Sequence, residues 1–171
     1  MPRGAVRPGE WSLRPMVVAD LPELVDVQER GAVLGLSDVF PQAQYPFPRD
    51  DVSRRWAQEL ADPAIDAYVV TGSGGEILGF AARRGDEVLH VGTAPETWGS
   101  GLAGWLHDAL VATFPRDVRR LRLWVLEGNG RARRYYEKLG WAPSGASSRS
   151  PFPPYPVMLE YVRACRCSPA R

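Results

Sequence analysis

The chain has 171 residues, an apolar content of 44% and a formal net charge of +1, which are typical of a globular protein with one core. No run of about 18 apolar residues occurs, so no membrane span is expected, and the balanced charge argues against a nucleic-acid partner. Two cysteines, Cys165 and Cys167, are too few for a closed zinc shell. We therefore expect no metal and a reduced, cytoplasmic protein.

The first half of the chain predicts two helices followed by an antiparallel meander. Residues 1–10 are polar and predict a flexible extension, and residues 11–16 predict a first strand. Amphipathic helices are predicted from Asp20 and from Asp50 or Asp51. The proline-rich segment 36–49 between them is predicted to be a loop. Three strands joined by glycine turns are predicted at 67–71, 77–83 and 87–93.

A glycine-rich turn joins the last of these strands to an amphipathic helix. Apolar residues recur there at helical spacing, at positions 102, 105, 106, 109 and 110. Backbone N–H groups and the helix dipole at such a junction attract anions, and glycines let a phosphate approach the backbone. The turn lacks the Gly-Lys-Ser/Thr of a Walker loop, because Lys138 lies far downstream. Its mid-chain position also fits the dinucleotide-binding fingerprint poorly.

The second half repeats the strand-turn-helix pattern. An apolar strand is predicted at 121–126, and a polar turn leads into a helix with Ala132, Tyr135, Tyr136 and Leu139 on one face. Gly140 is predicted to cap that helix. A short strand at Trp141, a loop over 144–156, a last strand at 157–162 and a flexible tail at 165–171 complete the prediction.

Together these two segments resemble the GNAT superfamily of N-acetyltransferases. The first is similar to the acyl-CoA loop Gln/Arg-x-x-Gly-x-Gly/Ala, and the second to the signature Asn-x-x-Ala-x-x-Phe-Tyr-Glu-x-x-Gly-Phe. The first loop is filled here by Trp98, Gly99, Ser100, Gly101, Leu102 and Ala103, and the signature by Asn129, Ala132, Tyr135, Tyr136, Glu137, Gly140 and Trp141. Trp98 stands where the family has Gln or Arg, so a polar contact to the cofactor is expected to be lost.

The resemblance implies an α/β (α+β) fold in a single domain over residues 11–164. Its central sheet is expected to be mixed and mostly antiparallel, with about 6–7 strands, helices on both faces and a splay between two central strands. Composition and periodicity alone predict no more than an α/β or α+β fold.

The resemblance also implies acetyl-CoA as co-substrate, held between the splayed strands. Its pyrophosphate is expected on the backbone amides of the glycine loop, and a backbone N–H near Val91 or Gly92 is expected to polarise the thioester. Asn129 is expected to bind the cofactor, to cap its helix, or both. The expected cofactor-binding residues are Val91, Thr93, Trp98, Gly99, Ser100, Gly101, Leu102, Ala103, Gly104 and Asn129.

For catalysis, the resemblance assigns Tyr136 as the acid that protonates the departing thiolate. Glu87, at the start of its strand, is the first candidate for the base. His90, expected on the opposite strand face, Glu127 and a water chain are the alternatives. The amine pocket is expected from the loops 36–49 and 144–156, whose aromatic residues either bind the substrate or anchor the loops. Those aromatic residues are Phe40, Tyr45, Phe47, Phe152 and Tyr155.

The predicted function is transfer of an acetyl group from acetyl-CoA to a primary amine of a small molecule or peptide, in a ternary complex. A non-catalytic acyl-CoA-binding module is the alternative. A longer acyl-CoA donor is a third possibility, because Gly92 is expected to leave room beside the thioester. A homodimer is common in the resembled family.

Overall fold

A computed structural model describes residues 10–165 of the chain. The elements are β1 (Ser12–Pro15), α1 (Leu21–Gly35), α2 (Arg49–Ala61), β2 (Ile65–Thr71), β3 (Ile77–Arg84), β4 (Glu87–Thr93), α3 (Leu102–Val111), β5 (Arg120–Leu126), α4 (Gly130–Lys138), β6 (Ala142–Arg149) and β7 (Val157–Ala164). The expected terminal segments lie outside the described residues, apart from Glu10 and Cys165. Among the described helices, none is long and apolar enough to cross a membrane.

The strands form one seven-stranded sheet in the order β1-β2-β3-β4-β5-β7-β6. Every neighbouring pair is antiparallel except β4 and β5, which are parallel. The β4–β5 ladder contains only the pairs Glu87↔Arg122 and Val88↔Leu123. Beyond them the two strands separate, which confirms the predicted mixed sheet and its central splay.

Helices cover both faces of the sheet, as predicted. On one face α1 and α2 pack against β2 and β3, and Trp56, which is fully buried, lies at the centre of this cluster. The Trp56 indole N–H donates to Gln28 Oε1 at 2.7 Å and so joins α2 to α1. On the other face Leu102, Leu106 and Leu110 of α3 pack against β5. Each such fully buried leucine contributes about 1.5–3 kcal/mol, so both helical layers are held mainly by apolar burial.

The prediction of a loop over residues 144–156 was wrong for its first half. Ala142–Arg149 forms the edge strand β6, which pairs with β7. All eight of its residues are exposed, so they lack the apolar alternation that identifies a half-buried strand. Its register is irregular between Pro143 and Ser147, where Gly145 has φ +94°, a conformation that favours glycine.

Candidate active site

A cavity of about 410 Å³ opens where β4 and β5 separate. Its wall includes β4 from Val88 to Thr93 and β5 from Leu123 to Leu126. Residues of α1 line one side and residues of α4 the other, so the cavity passes through the sheet. A gap of this kind leaves backbone N–H and C=O groups of both strands free to bind an extended amide-containing chain.

The glycine loop lies between β4 and the N-terminus of α3. Gly99 and Gly101 have φ +83° and +90°, and Gly101 is the N-cap residue of α3. The Leu102 N–H donates to Ser100 Oγ at 3.2 Å, while the next N–H groups of the first turn have no acceptor within the helix. A Cβ at Gly99, Gly101 or Gly104 would meet no atom within 4 Å. This open, amide-lined helix end fits a phosphate-bearing group.

Trp98 lines the cavity with an indole ring instead of the Gln or Arg usual at this position. The Arg131 guanidinium lies 3.8 Å from the centre of the Trp98 ring, and the indole N–H donates to the Thr93 carbonyl at 3.3 Å. Trp98, Thr93 and Arg131 all line the cavity. The tryptophan therefore joins the end of β4 to α4 while the cavity stays open.

Helix α4 places two functional candidates on the cavity wall. The Asn129 side chain accepts a hydrogen bond from the Ala132 N–H at 3.1 Å, so it caps the helix. Tyr136 is half-buried and packs against Trp141 at 5.9 Å between ring centres. Burial raises the pKa of Tyr136 to about 12, so the phenol stays protonated at neutral pH and can donate a proton.

The neighbouring tyrosine has a structural role that the sequence did not reveal. Tyr135 donates its hydroxyl hydrogen bond to the Ala103 carbonyl at 2.5 Å. This bond joins α4 to the first turn of α3, directly beside the glycine loop. The two motifs found in the sequence are thus physically linked across the cavity.

The three candidate bases occupy different environments. Glu87 is buried, and its carboxylate lies 3.0 Å from Arg122 Nη2 and 3.6 Å from Arg84 Nη2. It does not line the cavity, whose wall begins one residue later. Glu127 is exposed and also lies outside the wall. His90 does line the cavity.

A β-bulge in β4 determines where His90 points. Ala82 pairs with His90 but Arg83 pairs with Val88, so Leu89 is an extra residue in the ladder. Val88 belongs to the α3-side cluster, whereas Leu89 packs on the α1–α2 side, and the His90 ring lies 4.7 Å from Trp56 on that same side. Alternation from Val88 places Glu87 there too. The expectation that His90 and Glu87 lie on opposite faces was wrong.

The expected aromatic loops do not line the cavity. Phe47 and Phe152 pack against the α1–α2 cluster instead, which is the loop-anchoring alternative. The wall on this side comes from Gln28, Gly31, Ala32, Gly35 and Leu36, chiefly on α1. Gly31 and Gly35, small residues four positions apart inside α1, were the available signal.

The space that a side chain at Gly92 would fill is occupied by Phe80. A Cβ at this position would lie 2.3 Å from Phe80 Cζ, so the Phe80 ring covers the glycine directly. Phe80 itself lines the cavity. The absence of a side chain at Gly92 therefore does not make room for a longer acyl group, and this reason for expecting a longer donor was wrong.

Solved structures share this fold at low sequence identity. An acetyltransferase from Thermus thermophilus is 19% identical with a TM-score of 0.70, over 91% of this chain and 97% of its own. The ribosomal-protein-S18-alanine N-acetyltransferase from Escherichia coli is 18% identical with a TM-score of 0.69, over 92% and 96%. Spermidine N-acetyltransferase from Vibrio cholerae, in complex with CoA and spermine, is 18% identical with a TM-score of 0.65, over 91% and 95%. No curated protein matches the chain.

The mixed seven-stranded sheet with its gap between β4 and β5 is the fold that the chain shares with these structures. The sequence model of the family described as "Acetyltransferase (GNAT) family" matches residues 33–141. The match covers more than half of the chain and contains both motifs. The chain belongs to the GNAT family of acetyltransferases.

Proposed function

We propose that the protein transfers the acetyl group of acetyl-CoA to a primary amine, by direct attack in a ternary complex. The observation that carries this proposal is the cavity between β4 and β5, whose wall includes Tyr136 of α4 and, from the glycine loop, Trp98 and Ala103. Acetyl-CoA, when bound, supplies the thioester that the amine attacks. Because α1 residues line one side of the cavity and α4 residues the other, the coenzyme and the amine would approach from opposite sides of the sheet.

Different residues around the cavity would bind different parts of the coenzyme. Backbone groups of Val91 and Thr93 in the separated part of β4 would hold the pantetheine amides. The amides of Gly99, Gly101, Ala103 and Gly104 would hold the pyrophosphate, because the helix dipole adds partial positive charge there, whereas those of Ser100 and Leu102 already donate to Thr97 O and Ser100 Oγ. The Asn129 side-chain N–H₂ is free to donate to the coenzyme, since its oxygen is the atom that caps α4.

Two residues would move protons. Tyr136 donates to the departing thiolate, since its phenol is protonated at neutral pH. His90 accepts a proton from the amine, because it is the candidate base that lines the cavity. Glu87 instead forms an ion pair with Arg122. These two residues belong to the short ladder that joins β4 to β5, next to the point where the strands separate.

The acceptor is a primary amine carried on an uncharged or apolar body. On the α1 side the wall is built from Val27, Ala32, Leu36, Phe80 and Leu89. Among the described wall residues none is Asp or Glu, and Arg131 adds positive charge. A polycation would meet no carboxylate among the described residues of this wall.

A non-catalytic acyl-CoA-binding module is the second candidate, favoured by the replacement of the usual polar residue by Trp98. Isothermal calorimetry with acetyl-CoA tests binding, and release of free thiol with a panel of amines tests turnover. Binding without turnover for any amine would favour the module, whereas no binding would exclude both functions.

The variant Ser100→Glu tests where the pyrophosphate lies. A carboxylate there repels the pyrophosphate by about 1–4 kcal/mol at contact distance and removes the hydroxyl that accepts from Leu102 N–H. We expect the affinity for acetyl-CoA to fall at least about tenfold. Ser73→Glu, in an exposed turn between β2 and β3, is the control and should bind like the parent. Equal affinity of the Ser100→Glu variant would place the coenzyme elsewhere.

A further inference from the structure

Glu59 on α2 and His90 on β4 form a hydrogen-bonded pair beside the cavity. His90 Nε2 lies 2.8 Å from Glu59 Oε2 and 3.0 Å from Glu59 Oε1. The two side chains are only 17% and 16% exposed. Trp56 packs against the imidazole at 4.7 Å, so the ring is held by contacts on its edge and on its face.

We propose that Glu59 is a positioning residue that holds His90 with Nδ1 as the atom that accepts the proton of the amine. This inference rests on the proposed acetyl transfer. A carboxylate accepts hydrogen bonds, so it selects the tautomer with hydrogen on Nε2. A neutral imidazole carries one N–H, and its lone pair is therefore on Nδ1.

The bulge at Leu89 makes this pair possible. With regular alternation His90 would point toward α3, because Val88 already does. The extra residue turns His90 toward α2, where Glu59 lies within hydrogen-bonding distance. A bulge next to a cavity commonly serves to redirect one side chain. Here the redirected side chain is the titratable group of β4 that lines the cavity.

The charged groups that act on His90 are Glu59 and Arg55 from α2 and Glu87 from its own strand. Burial lowers the pKa of His90, the bond to Glu59 raises it, and the charge of Arg55 lowers it. The net direction is below the ordinary value, so His90 is neutral at neutral pH and ready to accept a proton. Arg55 Nε lies 3.9 Å from Glu59 Oε1.

The proton balance uses both residues. An ammonium substrate loses two protons in becoming an amide, and His90 takes the first, which leaves the amine lone pair free to form the C–N bond. The C–S bond breaks, and Tyr136 gives its phenolic proton to the sulfur. The second proton leaves the nitrogen and restores the Tyr136 phenol. His90 then releases its proton to solvent.

The pH dependence of kcat/KM tests the proposal with two substitutions that should shift its acidic limb in opposite directions. Glu59→Gln removes the charge that raises the pKa of His90, so the acidic limb should move to lower pH by about one unit or more. Turnover at neutral pH should fall about 10- to 10³-fold, because the tautomer is no longer fixed. Arg55→Gln should move the limb to higher pH. Asp51→Asn, an exposed carboxylate on the same helix, is the control and should not move it.

A second measurement works before any acceptor amine is known. The chain has two histidines, so ¹⁵N NMR of the labelled protein resolves both rings, and His90→Gln identifies the signals of His90. We expect hydrogen on Nε2, a pKa below the ordinary value and a further decrease in Glu59→Gln. Hydrogen on Nδ1, or the same pKa in Glu59→Gln, would overturn the pairing.

The outcomes separate the inference from the function on which it rests. Turnover that persists in His90→Gln, with coenzyme affinity unchanged by calorimetry, would overturn the role of the pair and leave acetyl transfer intact. A loss of at least about 10²-fold in the kcat/KM of His90→Gln, with unchanged coenzyme affinity, would support the role of the pair. Absence of acetyl-CoA binding in the unaltered protein would instead refute the proposed function, while the NMR result would still decide the pairing.

Discussion

The contact between Gly92 and Phe80 gives a quantitative test of how the cavity is built. In Gly92→Ala the new Cβ would lie 2.3, 2.7 and 3.0 Å from three atoms of the Phe80 ring. Packed carbon atoms are normally about 3.5–4.0 Å apart. Trp56 packs edge-on against the ring at 5.8 Å between centres, so the ring can retreat only toward the cavity that it lines. Either β4 shifts or Phe80 leaves its rotamer.

The expected cost follows from this geometry. Forcing an extra methyl group into a packed core costs about 1–3 kcal/mol, and the upper end applies because the closest contact, 2.3 Å to Phe80 Cζ, is far shorter than a normal carbon–carbon separation. Phe80→Leu alone should cost about 1.5 kcal/mol. In the Phe80→Leu background Gly92→Ala should cost less than about 1 kcal/mol, since the opposing ring atoms are gone. The coupling free energy is therefore about 2 kcal/mol.

Urea unfolding of the parent, both single variants and the double variant measures this coupling. Equal m-values across the four proteins would show that midpoints can be compared directly. Costs that add within about 0.5 kcal/mol would refute the reasoning, because independent sites behave in that way. In that event the Phe80 ring does not cover Gly92 in solution.

Three further predictions concern chemistry and pH. Tyr136→Phe should lower kcat about 10²- to 10⁴-fold with unchanged acetyl-CoA affinity, and an unaltered kcat would remove this phenol from the mechanism. Glu87→Gln should keep kcat/KM within about threefold, because the carboxylate pairs with Arg122 outside the cavity wall; a larger loss would restore Glu87 as the base. Burial lowers the folded-state pKa of both His90 and His107, so the unfolded chain binds more protons and the free energy of unfolding should fall as pH drops below about 6.5. Urea titrations at about pH 7.5 and 5.5, on either side of that value, check this, and equal stability would contradict it.

The sequence predicted those parts of the site that depend on local chain geometry. The glycine loop and the helix with Tyr136 follow from spacing and from the family resemblance. Trp98, Ala103 and Tyr136 line the cavity, whereas Gly99, Ser100, Gly101, Leu102 and Gly104 are not among its wall residues. Edge strand β6 was missed because its exposed residues carry no apolar pattern. The direction of His90 was missed because one extra residue in β4 reverses the alternation. Glu59 was missed because it lies 31 residues from His90, and only the packing of α2 brings the two together.

The parting of β4 from β5 also divides the molecule along its sequence. Every strand ladder lies within residues 12–93 or within residues 120–164, except the two pairs at Glu87 and Val88. The connection between α3 and β5 passes through the exposed residues Arg116 and Asp117, a place where chains tolerate being cut. Two fragments separated there would each keep complete ladders and would meet through the apolar side chains of α3 and β5. Because the cavity draws wall residues from both fragments, co-expressed halves should recover acetyl-CoA binding only on reassembly, which makes the protein a natural scaffold for a split reporter.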